Sequence, residues 1–241
     1  MTQDLTTSRE LAGRVALVTG ASRGTGAAIS RALVAGGAKV GMLSRSGDDL
    51  GLGEDVLGVV CDVADRGQVF DAVGAVVERF GSLDCVVANA GVGMYGKFLE
   101  LAPEHVEAMI DVNLKGTIYT AAATLQHLID AGGGDFVSLA SVAGLRAFPG
   151  ETVYNASKFG QVGLTRSLDH ELREHGVRAT NVAPGGIATD FAMGTGRTEG
   201  STEGMMTPEE VADTVVYCVT RPPTFRVLTL SYRPMNEASW G

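Results

Sequence analysis

The stretch Val15-Ala-Leu-Val-Thr-Gly20-Ala-Ser-Arg-Gly24-Thr-Gly26 decides how this chain is read. A short aliphatic run ends at Thr19, three glycines follow, and helical periodicity begins at Gly24. A strand covered on both faces reads as a near-continuous apolar run. A glycine turn into a helix lets backbone N–H groups approach a ligand closely, with the positive end of the helix aimed at it. Such a turn suits a pyrophosphate. The spacing is G-x-x-x-G-x-G rather than the common G-x-G-x-x-G, so the turn needs support from its surroundings.

Outward from this turn, short β-branched runs alternate with longer helical ones, the pattern of βαβ units feeding a parallel sheet. Strands are expected at Val15–Thr19, Lys39–Leu43, Leu57–Cys61, Leu83–Ala88, Asp135–Leu139, Ala179–Val182 and Arg226–Ser231. Helices are expected from Gly24 to Ala35, Asp65 to Phe80, Pro103 to Ala131, Thr152 to His175, and from Pro208 to a stop before Pro222. No repeat or biased linker divides the chain, so a single domain spanning 1–241 is the simpler organisation. The segment from Ala188 to Thr207 has no clear period and is rich in Gly, Thr, Met and Glu, as a functional lid would be.

Composition excludes several classes. The chain has 241 residues, 45% of them hydrophobic, with 33 Gly. Its 19 Lys and Arg against 28 Asp and Glu leave a net charge of −9, the wrong sign for a nucleic-acid backbone or an anionic membrane. A small-molecule partner is expected instead. Cys61, Cys85 and Cys218 are odd in number and lie in apolar stretches without C-x-x-C spacing. They read as buried thiols, with no metal role. Met1 to Glu10 is polar, and no run reaches the roughly 18 apolar residues of a membrane span, which points to the cytoplasm.

The second strand bears on the ligand. NAD-binding units place an acid about 20 residues after the glycine turn for the ribose 2′-hydroxyl, whereas an Arg there accommodates a 2′-phosphate. Here Ser44-Arg45-Ser46 follows Lys39–Leu43, with no acid before Asp48. Arg23, within the turn, is placed to add a second positive charge. NADP(H) is therefore expected over NAD(H). Further along stand Asn89-Ala90-Gly91, then Ser141, then Tyr154-Asn-Ala-Ser-Lys158. Tyr and Lys four apart share one helix face, and a nearby ammonium lowers the pKa of a phenol that ordinarily titrates near 10. Ser141 falls at the carboxyl end of a strand, the edge where open α/β sheets bind ligands.

Together these residues resemble the short-chain dehydrogenase/reductase family, in its single-domain branch. The elements Thr19-Gly20-x-x-x-Gly24-x-Gly26, Asn89-Ala90-Gly91, Ser141, Tyr154-x-x-x-Lys158 and Pro184-Gly185 occur in the family's order. The resemblance implies an α/β, Rossmann-type doubly wound sheet of seven parallel strands in the order 3-2-1-4-5-6-7, with helices on both faces. It implies that Tyr154 is the general acid in ketone reduction, that Ser141 stabilises the developing alkoxide, and that Lys158 binds the nicotinamide ribose. Asn113 matches an asparagine that helps hold a water linking the lysine to solvent. For the cofactor it implies the turn residues Gly20, Ser22, Arg23, Gly24, Thr25 and Gly26, then Arg45, Asp62 and Val63 near the adenosine. Asn89, Ala90, Gly91, Pro184, Gly185, Ile187 and Thr189 complete that set.

The activity so implied is NADPH-dependent, reversible reduction of a ketone or aldehyde to an alcohol. Alternatives are a 3-oxoacyl-thioester (acyl-carrier-protein) reductase, a 3-hydroxy acid dehydrogenase, or a non-catalytic NADP(H)-binding regulator. The last would be expected to lack Tyr154 or Lys158, and both are present. The end of the chain, from Arg226 through Pro234 to Glu237, lacks the Asp-Gly-Gly of many carrier-protein reductases. Substrate contacts are expected from Gly93, Val142, Phe148, Phe191 and Met193, and a homodimer or homotetramer is the family's usual assembly.

Overall fold

A computed structural model describes residues 11–198 and 200–237. The polar segment Met1 to Glu10, which bears on the cytoplasmic expectation, lies outside the described residues, as do Glu199 and 238–241.

Seven strands form one parallel sheet: β1 Val15–Thr19, β2 Lys39–Ser44, β3 Val56–Val60, β4 Cys85–Ala88, β5 Gly134–Leu139, β6 Val177–Pro184 and β7 Thr229–Tyr232. The spatial order is β3-β2-β1-β4-β5-β6-β7, as the doubly wound reading requires. Alternate residues of each strand feed two cores. Ala16, Val18, Val40 and Met42 pack with Ile29 and Leu33 of α1 (Gly24–Ala35) and with Val211 and Val215 of α6 (Pro208–Val219). Val15, Leu17, Leu43 and Phe136 face the other way, against Val69, Val73 and Val76 of α2 (Arg66–Phe80). Each fully buried aliphatic side chain contributes on the order of 1.5–3 kcal/mol. The central strands thus read as unbroken apolar runs because both faces are covered.

Departures from the expected elements have local causes. Asp65 caps α2 rather than opening it, its side chain accepting a hydrogen bond from the Gln68 amide at 3.1 Å. The long helix expected from Pro103 is three pieces: α3 Pro103–Ala108, π-helical turns at Met109–Lys115, and α4 Gly116–Asp130. α5 runs Thr152–Leu172, and a tighter turn takes the chain to His175. β6 is longer than expected, and β7 is shorter and shifted towards the C-terminus. Before β7, Thr180 Oγ1 donates to the Val227 carbonyl and Arg226 pairs with Asp169, which draws the chain out of regular strand geometry.

At the amino end of the sheet, Arg14 bridges Asp84 and Asp135, and Arg178 grips the same Asp135 with two bonds of 2.8 and 3.0 Å. Asp135 is 3% exposed, so this is a buried network rather than a surface pair. Cys61, Cys85 and Cys218 are buried and unpaired, and burial pushes each thiol up, to about 11, 12 and 11. Among the described residues no helix is long and apolar enough to cross a membrane.

Candidate active site

The carboxyl ends of the strands open into one cavity of about 870 Å³. At one end lies the glycine turn. Gly20 and Gly24 have φ of +65° and +52°, the left-handed region that favours glycine. A Cβ on Gly26 would collide with the Gly20 carbonyl and the Asn89 amide, so the third glycine is required by packing. Asn89 holds the turn from the neighbouring strand end, its Nδ2 donating to the Thr19 carbonyl at 2.8 Å and the Gly20 carbonyl at 3.2 Å. The Thr19 hydroxyl in turn accepts from the amides of Asn89 and Ala90, both at 3.0 Å.

The start of α1 is open. No side chain caps it, and its first turn carries no acid. An uncapped helix start leaves N–H donors for a ligand and a positive dipole end. Arg23 and Arg45 are exposed at the rim of the same cavity, with Asp62 and Val63 beside them along its wall. Asp62 accepts from the Ala64 amide at 3.0 Å, which fixes that turn.

The acid–base residues converge at the other end. Ser141 follows β5 and accepts from the Ala143 amide at 3.1 Å, while its hydroxyl lies near enough to the Tyr154 phenol to draw its pKa down. Tyr154 and Lys158 are one turn apart on α5, both buried. Lys158 Nζ donates to the Leu139 carbonyl at 3.0 Å and lies 5.7 Å from the Tyr154 ring centroid. A Cβ on Gly91 would press on Asn113 Oδ1 at 3.3 Å while meeting the ammonium only at ordinary contact distance.

Burial dominates the electrostatics. It lowers the Lys158 ammonium to about 7. It also holds the Tyr154 phenol well above its ordinary value, with the nearby Ser141 hydroxyl and Arg197 acting downward and Glu151 upward. The lowering of the phenol by Lys158, expected from their spacing, is not found here: loss of solvent dominates, and the downward influences come from Ser141 and Arg197.

Asn113 sits within the π-helical turns, a distortion often found at functional sites. Its side chain accepts from the Val92 amide at 2.8 Å and donates to the Val92 carbonyl and to Ser157 Oγ. It therefore ties the loop after β4 to α5. Asn155 was not anticipated from sequence. Buried at 6% exposure, it accepts from the Phe148 amide and donates to the carbonyls of Ala143 and Arg146. That one side chain shapes the segment carrying Ser141, Val142 and Phe148. Its only sequence signal was its place inside Tyr154-x-x-x-Lys158.

Pro184, Gly185, Ile187 and Thr189 line the cavity where β6 ends. The segment after them is pinned at its base, Ala188 donating to the Met206 carbonyl at 2.8 Å and Met206 to the Gly186 carbonyl at 3.1 Å. Val142, Phe148 and Phe191 line the cavity, and Phe191 and Tyr95 pack against the Tyr154 ring. Gly93 and Met193 do not line it. Gly93 lies under the Phe191 ring with no room for a Cβ, and Met193 points its exposure elsewhere, at 37%. Sequence reasoning also missed Glu237, Arg233 and Arg197, which line the same cavity. Glu237 accepts from the Gly186 amide at 2.6 Å and from Arg233 Nε at 2.8 Å, strapping the C-terminal segment onto the site.

An open helix start, glycine turn and Ser–Tyr–Lys cluster at the carboxyl edge of a doubly wound sheet define a Rossmann-type oxidoreductase. The chain belongs to the short chain dehydrogenase family, whose model matches residues 14–200. An uncharacterized oxidoreductase of Staphylococcus epidermidis is 34% identical over 92% of this chain and 97% of its own length. An alcohol dehydrogenase of Thermococcus sibiricus, complexed with 5-hydroxy-NADP, superposes with a TM-score of 0.86 at 32% identity, covering 95% of this chain and 99% of that one. A closed form of serine dehydrogenase complexed with NADP+ superposes with a TM-score of 0.88 at 26% identity, covering 94% and 97%.

Proposed function

We propose that the protein is an NADPH-dependent carbonyl reductase that reduces a ketone or aldehyde to an alcohol and runs in reverse as an alcohol dehydrogenase. The observation that carries this reading is the meeting of Ser141, Tyr154 and Lys158 in the cavity that also receives the uncapped start of α1. Bound NADPH supplies the hydride for the carbonyl carbon. The remaining work falls to this chain.

The α1 start and the turn Gly20–Gly26 hold the pyrophosphate, and Arg23 and Arg45 hold the 2′-phosphate. Asp62 and Val63 border the adenine, Asn89, Ala90 and Gly91 the adjoining ribose, and Pro184, Gly185, Ile187 and Thr189 the carboxamide. Preference for NADP(H) is supported by these two arginines, by the lack of an acid after β2, and by the nucleotides carried by the two superposed enzymes. Ser141 donates a hydrogen bond to the substrate oxygen, and Tyr154 passes its phenolic proton to that oxygen as the alcohol forms. A phenol held above its ordinary value is protonated through the neutral range, as a proton donor must be. Lys158 binds the nicotinamide ribose and returns a proton to Tyr154. Asn113 supports this return path by holding a water on the way to solvent.

Segment 188–207 acts as the lid within a single domain of 1–241. A cytoplasmic dimer or tetramer fits the same reading, and the exposed Ile118 and Phe159 supply apolar surface for it. The test is a panel of ketones, aldehydes and 3-oxo esters in which NADPH and NADH absorbance are followed side by side. Faster oxidation of NADPH with at least one carbonyl compound is expected. No turnover in either direction with any member would overturn the proposal.

A further inference from the structure

We propose that the substrate carries a carboxylate and that Arg197 of the lid is the group that receives it. This rests on the carbonyl-reductase reading and adds the substrate class.

Arg197 is a built feature rather than a loose surface cation. Its backbone closes a tight turn, the Arg197 amide donating to the Ala192 carbonyl at 3.1 Å and the Gly194 amide to the Arg197 carbonyl at 2.9 Å. Ala192 takes a φ of +59° to allow that turn, a conformation costly for a residue with a Cβ. The turn docks on the loop after β4, Tyr95 donating from its amide to the Thr195 carbonyl at 2.7 Å and Thr195 Oγ1 to the Gly93 carbonyl at 3.0 Å. The guanidinium is anchored by one hydrogen bond, from Nη1 to the Ile187 carbonyl at 3.1 Å. It lines the cavity, close enough to Tyr154 to act on the phenol.

Among the described residues Arg197 makes no ion pair, and its Nε and Nη2 have no hydrogen-bond partner. No other charge among the described residues comes within ion-pair distance of it. Glu237 is engaged by Arg233 and by the Gly186 amide. Glu151 lines the cavity outside ion-pair reach; burial raises its pKa, and Arg197, acting on it from a distance, offsets only part of that rise. Asp190 is exposed and lies next to Thr189, whose methyl group faces the glycine turn. A partly buried guanidinium with two donors to spare is completed by a planar anion, and a carboxylate takes both donors at once.

The test compares kcat/KM for 2-oxobutanoate, 3-oxobutanoate and 4-oxopentanoate with their methyl esters in the wild-type protein, then in Arg197→Met and Arg197→Lys. For at least one pair the acid is expected to be favoured about tenfold or more, the scale of a charge-assisted hydrogen bond. Arg197→Met should erase most of that ratio and Arg197→Lys should keep part of it. The ratio is independent of how much variant folds, because active enzyme cancels within each pair. Esters turned over as well as acids in every pair would overturn the inference, as would an acid preference that survives Arg197→Met. Turnover of neutral ketones but none of these six compounds would overturn it while leaving the carbonyl-reductase reading intact. Failure of that reading shows separately, as no turnover of any carbonyl compound.

Discussion

Lys158 should weaken the fold that it serves, and the cost can be worked from its burial. In the unfolded chain a lysine titrates at 10.5, whereas here loss of solvent lowers it to about 7. Above the unfolded value both states are neutral and the residue costs nothing. As pH falls from there towards 7 the unfolded chain takes up the proton and the folded chain does not, so stability drops. Below 7 both are charged and the loss levels off. With about 1.4 kcal/mol per pKa unit, the penalty is about 4 kcal/mol at pH 7 and about 2 kcal/mol at pH 9.

Lys158→Met keeps the aliphatic stem and removes the ammonium, losing the bond to the Leu139 carbonyl, worth about 1 kcal/mol. The variant should therefore be more stable than wild type by about 3 kcal/mol at pH 7 and by about 1 kcal/mol at pH 9, while its turnover collapses. Urea unfolding of both proteins without nucleotide, at each pH, measures the difference. Groups common to both, the buried thiols included, cancel. A variant less stable than wild type at pH 7, or a difference that does not change with pH, would refute the reasoning.

Three further outcomes are expected. Tyr154→Phe removes the proton donor but not the ring packing against Tyr95 and Phe191, so turnover should fall by roughly 10² to 10⁴ with NADPH binding retained, as titrated by nucleotide fluorescence. Arg45→Asp places a carboxylate after β2 and should shift the ratio of kcat/KM values towards NADH; an unchanged ratio would show that Arg45 does not meet the 2′-phosphate. Asp135→Ala leaves Arg14 and Arg178 without their shared carboxylate, and denaturant unfolding should show a loss of about 3–5 kcal/mol; a loss under 1 kcal/mol would mean that the network is solvated.

What was legible in the sequence follows the range of the interactions involved. β1, with every residue buried, and α1 were placed to the residue, because an apolar run and the glycines after it act within a single turn of chain. Tyr154 and Lys158 were legible for the same reason, as four residues on a helix fix a shared face. The parallel sheet followed from the alternation of elements, whereas its strand order came only with the family resemblance that the motifs carry.

Contacts across long separations were hidden. The π-helical turns around Asn113 carry no composition signal and match a helix in every local respect. β7 was misplaced because the pairing of Arg226 with Asp169, 57 positions away, sets where the strand begins. Glu237 reaches Gly186 across 51 positions, and Arg197 enters the cavity only because a turn with a left-handed alanine docks on the loop after β4. Local spacing thus determined the cradle and the acid–base pair. Tertiary folding alone decided what closes over them, and with it the charge that a substrate meets, because each of those contacts joins segments whose separation in sequence says nothing of their distance in space.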